Sequence, residues 1–187
     1  IHCGLVGSEM CIRDRISSGP HGLSRLGLAL LQNDPRLQAT SLAEVLRAKA
    51  IRQHQRPQPR LDVLNHLLGC KPAELPWRAG GTDSSDGLLA AVRGLCNSSG
   101  TGARLNRNCL PMAQGWPAGD LWNRWCLGGG EDFELVLSLP PAWADALEQA
   151  LPGCRRFGQI TNHTGSIVWT NDNSPVQDRG FDHFAPG

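Results

Sequence analysis

The 187-residue sequence predicts one compact α/β domain in which helices and strands interleave. Hydrophobic residues make up 40% of the chain and charged residues 19%, a balance typical of folded globular proteins. Leucine-rich segments with a helical repeat are interspersed with short segments in which apolar and polar residues alternate, as they do in strands. The sequence shows neither an internal repeat nor a low-complexity linker, so we expect a single core.

The first half of the chain contains three predicted helices. The segment "LSRLGLALLQ" begins at Leu23 and places its leucines on one helical stripe before an Asp-Pro pair ends it. Ser41 and Glu44 have the spacing of a capping box, which predicts a second helix that Pro57 stops. A third, short helix spans about residues 61–68 and is followed by a glycine stop.

The second half predicts most of the strands. The predicted strands are 102–110 "GARLNRNCL", 133–139 "FELVLSL", 154–161 "CRRFGQIT" and 165–170 "GSIVWT". Helices are expected at 84–98 and 142–151, with a Pro/Gly-rich loop at 111–120. In "FELVLSL", Phe133 and the leucines face one way, whereas Glu134 and Ser138 face the other.

Charge and cysteine usage exclude several classes of protein. The net charge of +1 argues against a nucleic-acid binder, which usually carries a strong basic excess. No apolar run reaches the length of a membrane-spanning helix. Seven cysteines without a C-x-x-C pair indicate free thiols and hence a cytoplasmic protein, and the six histidines show no metal-ligand spacing.

The amino-terminal segment 1–15, "IHCGLVGSEMCIRDR", has no helical or strand periodicity. A signal peptide would need a basic start and a longer apolar core. The chain begins with Ile rather than Met, and the segment resembles translated adapter sequence. We expect residues 1–15 to be foreign and residues 16–187 to form the domain.

The segment "GGTDSSDGLL" places Asp83 and Asp86 three residues apart at the start of a predicted helix. One interpretation is structural, because Asp83 or Ser84 can cap the helix and Asp86 favours its first turn. The other is chemical: two carboxylates hold Mg²⁺ beside a phosphate, and Ser85 donates to a phosphate oxygen.

Three further segments have both a structural and a functional interpretation. In "GGGEDFELVL", the glycines allow a ligand to approach the backbone before Glu131 and Asp132, or they form a flexible turn with two solvated acids. The basic residues between 47 and 60 are phosphate contacts or a solvated helix face. The aromatic residues of "GFDHF", Phe181 and Phe184, pack the tail onto the body or cover a ligand ring.

The order of these motifs carries a resemblance. "SSGPHGLSRLGLALL", "HQRPQPR", "DSSDGLLAAV", "GARL", "LGGGEDFELVLSLP", "FGQIT" and "GFDHF" together resemble the C-terminal part of thiamine-monophosphate kinases, from about Ile16 to Phe184. The resemblance implies an aminoimidazole-ribonucleotide-synthetase-like (PurM-like) C-terminal domain with a mixed β-sheet and packed helices. It also implies phosphoryl transfer from ATP to thiamine monophosphate, which gives thiamine diphosphate.

The resemblance also implies the roles of individual residues. Asp83 and Asp86 match aspartates that bind magnesium ions, and Ser85 matches a serine that contacts ATP. Glu131 and Phe181 match residues that contact the substrate, although the aromatic position is often tyrosine in relatives. No residue matches a general base, and the acceptor phosphate needs little help because its second pKa is about 6.

Members of this family carry an N-terminal domain that supplies further magnesium aspartates, ATP contacts and a dimer interface. We therefore expect a homodimer for the full-length protein and no turnover by this chain alone. The alternatives are another ATP enzyme of the same superfamily, such as a selenophosphate or purine-pathway synthetase, and a non-catalytic module of the same fold.

Overall fold

The computed structural model describes residues 13–177, which form an α/β domain around one six-stranded sheet. The strands are β1 (Asp14–Ser17), β2 (Gly80–Asp83), β3 (Gly102–Leu105), β4 (Leu135–Leu139), β5 (Arg155–Thr161) and β6 (Ile167–Trp169). The helices are α1 (Leu23–Leu31), α2 (Glu44–Gln55), α3 (Asp62–Gly69), α4 (Leu88–Ser99), α5 (Asp120–Gly128) and α6 (Pro141–Ala150). The strand order is β2-β4-β1-β5-β3-β6, with β3 and β6 parallel and the other neighbours antiparallel. The predicted fold class, with its mixed sheet and packed helices, is confirmed.

Helices cover both faces of the sheet. On one face, leucines of α4 and the end of α5 pack around Val136 and Phe157. On the other face, α3 and α6 pack around Ile16, with Trp143 fully buried among them. A third cluster joins α1 and α2 to two tryptophans of α5, so α1 and α2 form a further layer that α5 connects to the α4 side of the sheet.

Strand β4 lies between β2 and β1 in the sheet. Its leucines 135, 137 and 139 face the α3–α6 side, which confirms the alternation seen in the sequence. The opposite face is also covered, since Val136 belongs to the α4 cluster and Ser138 is buried. Phe133 and Glu134 precede the strand rather than forming its start.

Several predicted boundaries differ from the observed ones. Helix α2 begins at Glu44, and the preceding position is Ala43, so the predicted cap at Ser41 is wrong. Strand β3 ends at Leu105, because Asn106 accepts a hydrogen bond from the N–H of Asn108 and starts a short 3-10 turn. Another 3-10 turn, earlier in the chain, spans Pro35–Leu37. Strand β1 and helix α5 were not expected from the sequence.

Strand β1 crosses the predicted boundary between the foreign segment, 1–15, and the domain, 16–187. Residues from both sides of that boundary therefore lie in the sheet. Asp14 is buried and accepts a hydrogen bond from Arg156 at 2.8 Å. Arg15 is 1% exposed and faces α4, where its Nη2 lies 3.3 Å from the sulfur of Cys96. Its Nε has no hydrogen-bond partner within residues 13–177, and burial lowers the pKa of its guanidinium.

We expect Arg15→Met to stabilise the domain, because a flexible apolar side chain would replace a buried cation that no described carboxylate neutralises. The free energy of unfolding should rise by about 1–4 kcal/mol in urea titrations. Arg104→Met is the control, since Arg104 is exposed on β3, and it should change stability by less than about 0.5 kcal/mol. A loss of stability in Arg15→Met would show that the buried arginine is favourable.

Candidate functional site

The loop between β2 and α4 carries the predicted magnesium ligands. Strand β2 ends at Asp83, and the N–H of Ser84 donates to the carbonyl oxygen of Glu134 at 2.9 Å. The N–H of Gly87 then donates to the carbonyl of Ser84 at 3.0 Å, which closes a tight turn. Gly87 has a φ of 102°, a conformation that glycine adopts without strain, and α4 begins at the next residue.

This loop forms one wall of a cleft of about 380 Å³. Asp83, Ser85 and Asp86 line the cleft together with small residues of α4, among them Ala90 and Gly94. Both aspartates are exposed, so their carboxylates reach solvent in the same cleft. The structure therefore brings together three of the five predicted site residues.

The donor set of the cleft suits magnesium only with help from other ligands. Asp83 and Asp86 offer hard oxygen atoms, which Mg²⁺ prefers. Within residues 13–177, no group of three or more His, Cys, Asp or Glu side chains has a metal-binding arrangement. Two carboxylates fit an ion that completes its shell with waters and substrate phosphates, as Mg²⁺ commonly does.

The glycine run 128–130 packs directly against the β2–α4 loop. The N–H of Glu131 donates to the carbonyl of Ser85 at 2.7 Å. A Cβ on Gly130 would lie 2.5 Å from that same carbonyl oxygen, so only glycine allows the close approach. The two motifs singled out in the sequence are thus neighbours in space.

Glu131 lies beside the cleft but does not line it. Its φ is 65°, in the left-handed region, and its side chain is 66% exposed. The carboxylate oxygen Oε2 lies 3.6 Å from Nδ1 of His54 in α2. Its backbone is therefore tied to Ser85, whereas its side chain points toward α2. Phe181, the other predicted substrate contact, lies outside the described residues.

Asp132 is fully buried, contrary to the interpretation of this run as two solvated acids. Its carboxylate accepts the N–H of Gly22 at 2.6 Å and the N–H of Ser24 at 2.9 Å, at the start of α1. Its carbonyl accepts a hydrogen bond from Nε2 of Gln53 at 2.8 Å. Burial raises the pKa of Asp132 to about 7, although the backbone hydrogen bonds act in the opposite direction.

Glu134 is buried on the other side of this segment. It accepts hydrogen bonds from the hydroxyl of Ser18 and, at 2.6 Å, from Nη1 of Arg60. Arg60 also pairs with Asp62 at 3.0 Å. Burial raises the pKa of Glu134, and the contacts with Ser18 and Arg60 partly offset this effect. Arg60, at the end of the basic stretch, is therefore part of a packed ion-pair network rather than a solvated face.

Sequence reasoning missed the structural roles of Asp132 and Glu134, and also that of His21. His21 is fully buried, with Nδ1 3.2 Å from the hydroxyl of Ser17, and burial lowers its pKa to about 4. The hydrogen-bond partners of these two acids lie between 74 and 116 residues away in sequence, so no local pattern indicates them. The only sequence signal for the roles of Asp132 and Glu134 was that several acids follow the glycine run.

Comparison with known proteins shows which proteins this chain is similar to. The chain is 47% identical over 171 residues to thiamine-monophosphate kinase of Prochlorococcus marinus, and the match covers 90% of this chain and 51% of that relative. The chain resembles a thiamine-monophosphate kinase. The corresponding kinase of Synechococcus elongatus is 44% identical over 172 residues, with the same coverage. The resemblance drawn from the motifs is therefore confirmed, and the chain spans about half the length of the curated relatives it matches.

Solved structures agree with the sequence matches. AaThiL complexed with AMPPCP and TMP superposes with a TM-score of 0.71 and 25% sequence identity, over 94% of this chain and 52% of that one. The superposition confirms the expected PurM-like fold. No family model matches the chain. Among residues 13–177, no helix is both long enough and apolar enough to cross a bilayer.

We expect Gly130→Ala to push the glycine run and the β2–α4 loop apart, because its Cβ would collide with the carbonyl oxygen of Ser85. The substitution should cost about 1–3 kcal/mol of stability in urea titrations. Gly94→Ala is the matched control, since a Cβ at that position in α4 meets no atom within 4 Å. That variant should gain about 0.5–1 kcal/mol from helix propensity. Equal effects in both variants would contradict the tight contact between the loops.

The raised pKa of Asp132 predicts a pH-dependent stability. Its pKa in the folded state, about 7, lies above its ordinary value of 3.8, so this group stabilises the fold at low pH and loses that contribution as pH rises toward 7. His21, lowered from 6.5 to about 4, has the opposite effect between those values, because the folded state holds it neutral. The two slopes therefore oppose each other in the unmodified protein.

The substitution Asp132→Asn removes the contribution of Asp132 to the pH dependence of stability and leaves that of His21. Relative to the unmodified protein, the variant should gain stability as pH rises from about 4 to about 7, by at most about 4 kcal/mol. Urea unfolding at several pH values measures this difference. Asp120→Asn, which changes an exposed acid in the first turn of α5, should keep the original pH profile. A pH-independent difference for Asp132→Asn would contradict the raised pKa.

Proposed function

We propose that the full-length protein containing this chain transfers the γ-phosphoryl group of ATP to thiamine monophosphate. The observation that carries the proposal is the shared cleft, in which Asp83, Ser85 and Asp86 meet at the start of α4. The similarity to thiamine-monophosphate kinases over 90% of this chain supports the choice of reaction. AaThiL was solved with AMPPCP and TMP, which supports the choice of donor and acceptor.

The chemistry of the reaction matches the residues of the cleft. Donor and acceptor are both polyanions, and two unit charges about 4 Å apart repel by roughly 4 kcal/mol at an effective dielectric of 20. Magnesium bound at the carboxylates would neutralise phosphate charge and align the reacting phosphates. Asp83 and Asp86, which line the cleft, would hold the phosphate-bound cation, and the hydroxyl of Ser85 would donate to a phosphate oxygen. No general base is required, because the acceptor phosphate is largely ionised near neutral pH.

The substrate contacts remain part of the proposal. The backbone of Glu131 is held beside the cleft by the hydrogen bond from its N–H to the carbonyl of Ser85. Its exposed carboxylate can therefore contact a thiamine monophosphate molecule that lies between the cleft and α2. The resemblance assigns a second contact to Phe181. It also implies a homodimer and a preceding ATP-binding half. The cysteine usage supports a cytoplasmic location, and the lack of periodicity in residues 1–15 supports a segment foreign to the domain.

The test restores the other half of the kinase. The half of the Prochlorococcus marinus relative that this chain does not cover is fused to this chain, and thiamine diphosphate formation is measured with magnesium and ATP. The fusion should be active, whereas this chain alone should show no turnover. Asp83→Asn and Asp86→Asn should each lower kcat by at least about 100-fold, on the scale of losing a preorganised electrostatic contact.

The control for this test is Asp120→Asn, which removes a carboxylate outside the cleft and should leave kcat within about twofold. A folded fusion that turns over normally with both cleft aspartates replaced would overturn the proposal. Activity toward aminoimidazole precursors or selenide in place of thiamine monophosphate would favour the other enzymes of the superfamily.

A further inference from the structure

A second cavity, of about 350 Å³, lies on the far side of the glycine run from the carboxylate cleft. Arg25 of α1, Arg36 of the following 3-10 turn and Arg124 of α5 line it. Trp125 and the backbone of residues 128–129 complete its wall. We refer to this cavity as the arginine pocket.

The positive charge of the arginine pocket exceeds its negative charge. Asp34 forms a two-pronged pair with Arg36, at 2.9 Å and 2.5 Å, and lies 3.8 Å from Arg25. Within residues 13–177, no ion pair joins Arg124 to a carboxylate. Three guanidinium groups thus face one carboxylate. The carboxyl-terminal end of α5 adds only about half a negative charge, which leaves the pocket clearly positive.

Two of the three guanidinium groups, those of Arg25 and Arg36, are held in place before any ligand arrives. The carbon at the centre of the Arg25 guanidinium lies 5.0 Å from the ring centre of Trp125, and that of Arg36 lies 5.5 Å from the same ring. Stacking on an indole fixes the orientation of these planar donors and reduces the entropy lost on binding. Nη1 of Arg25 is buried and lacks a hydrogen-bond partner within residues 13–177, an arrangement that costs stability unless an acceptor is supplied.

We propose that the arginine pocket binds the phosphate group of a small phosphate ester or diphosphate. A phosphate carries up to two negative charges and several acceptor oxygens, which match the excess charge and the forked donors of Arg25, Arg36 and Arg124. A single carboxylate, with one negative charge, would leave part of that excess uncompensated. This site is separate from the proposed phosphoryl-transfer cleft and does not depend on that function.

The glycine run explains how two phosphate sites can lie so close together. Gly130 contacts the β2–α4 loop, as described above, and Gly129 contacts α1, since a Cβ there would lie 2.9 Å from the Cβ of Arg25. One short backbone segment therefore separates a cleft lined by carboxylates from a pocket lined by arginines. The first would take phosphate only with a divalent cation, whereas the second needs none.

This difference provides the test. Sodium diphosphate is titrated calorimetrically into the 187-residue chain in the presence of EDTA, which removes divalent cations. We expect one saturable site. Arg124→Gln should weaken binding by at least about 10-fold, the scale of one charge-assisted hydrogen bond. Because the Arg124 side chain is exposed, this variant should fold normally, and a thermal melt checks that it does.

Two further variants sharpen the result. Arg104→Gln removes an exposed arginine on β3, outside the pocket, and should change binding by less than about twofold. Arg25→Lys keeps the charge but loses the fork and the stacking, so it should still weaken binding several-fold. An equal loss in Arg104→Gln, or no saturable binding in EDTA, would overturn the proposal. Binding that appears only with magnesium and disappears in Asp83→Asn would also overturn it, while supporting the kinase proposal.

Discussion

The buried carboxylate of Asp132 holds the candidate site together. It accepts two backbone hydrogen bonds at the start of α1, and its own carbonyl accepts one from Gln53 of α2. The same segment is joined to the β2–α4 loop through the hydrogen bond from Glu131 to Ser85. The adjacent residues Glu131 and Asp132 therefore connect the α1–α2 layer to the loop that carries the cleft aspartates. If these hydrogen bonds were lost, helix α1 and the β2–α4 loop would no longer be held together through this segment.

Burial divides the acids and bases of this region into two groups. Asp132 and Glu134 have raised pKa values, and His21 has a lowered one, because burial favours the neutral form of each. These groups serve as hydrogen-bond partners within the fold. The cleft aspartates, by contrast, are exposed to solvent. The chain thus keeps its structural acids apart from those that its proposed chemistry requires.

Residue patterns predicted the elements whose signals are local and missed those whose signals are not. The leucine stripe of α1 and the alternation of β4 are such local signals. Strand β1 reads "DRIS", which carries two charges in four residues, so its central place in the sheet is set entirely by its neighbours. The spacing of Asp83 and Asp86 singled out the loop that lines the cleft but left helix capping and metal binding both open, whereas the backbone partners of the Asp132 carboxylate lie 108 and 110 residues away. Long-range hydrogen bonding of this kind leaves no periodic trace.

The geometry of the segment 131–134 shows how one short run of acids serves three directions. Glu131 and Phe133 both have positive φ, at 65° and 53°, a conformation that non-glycine residues adopt only at a cost of about 1–3 kcal/mol each. These two turns flank Asp132, so the chain directs Glu131 outward, Asp132 into α1 and Glu134 toward Arg60. A relaxed extended strand would alternate its side chains between two faces only. The strain is therefore the local cost of a segment that anchors two layers while presenting one exposed carboxylate beside the cleft.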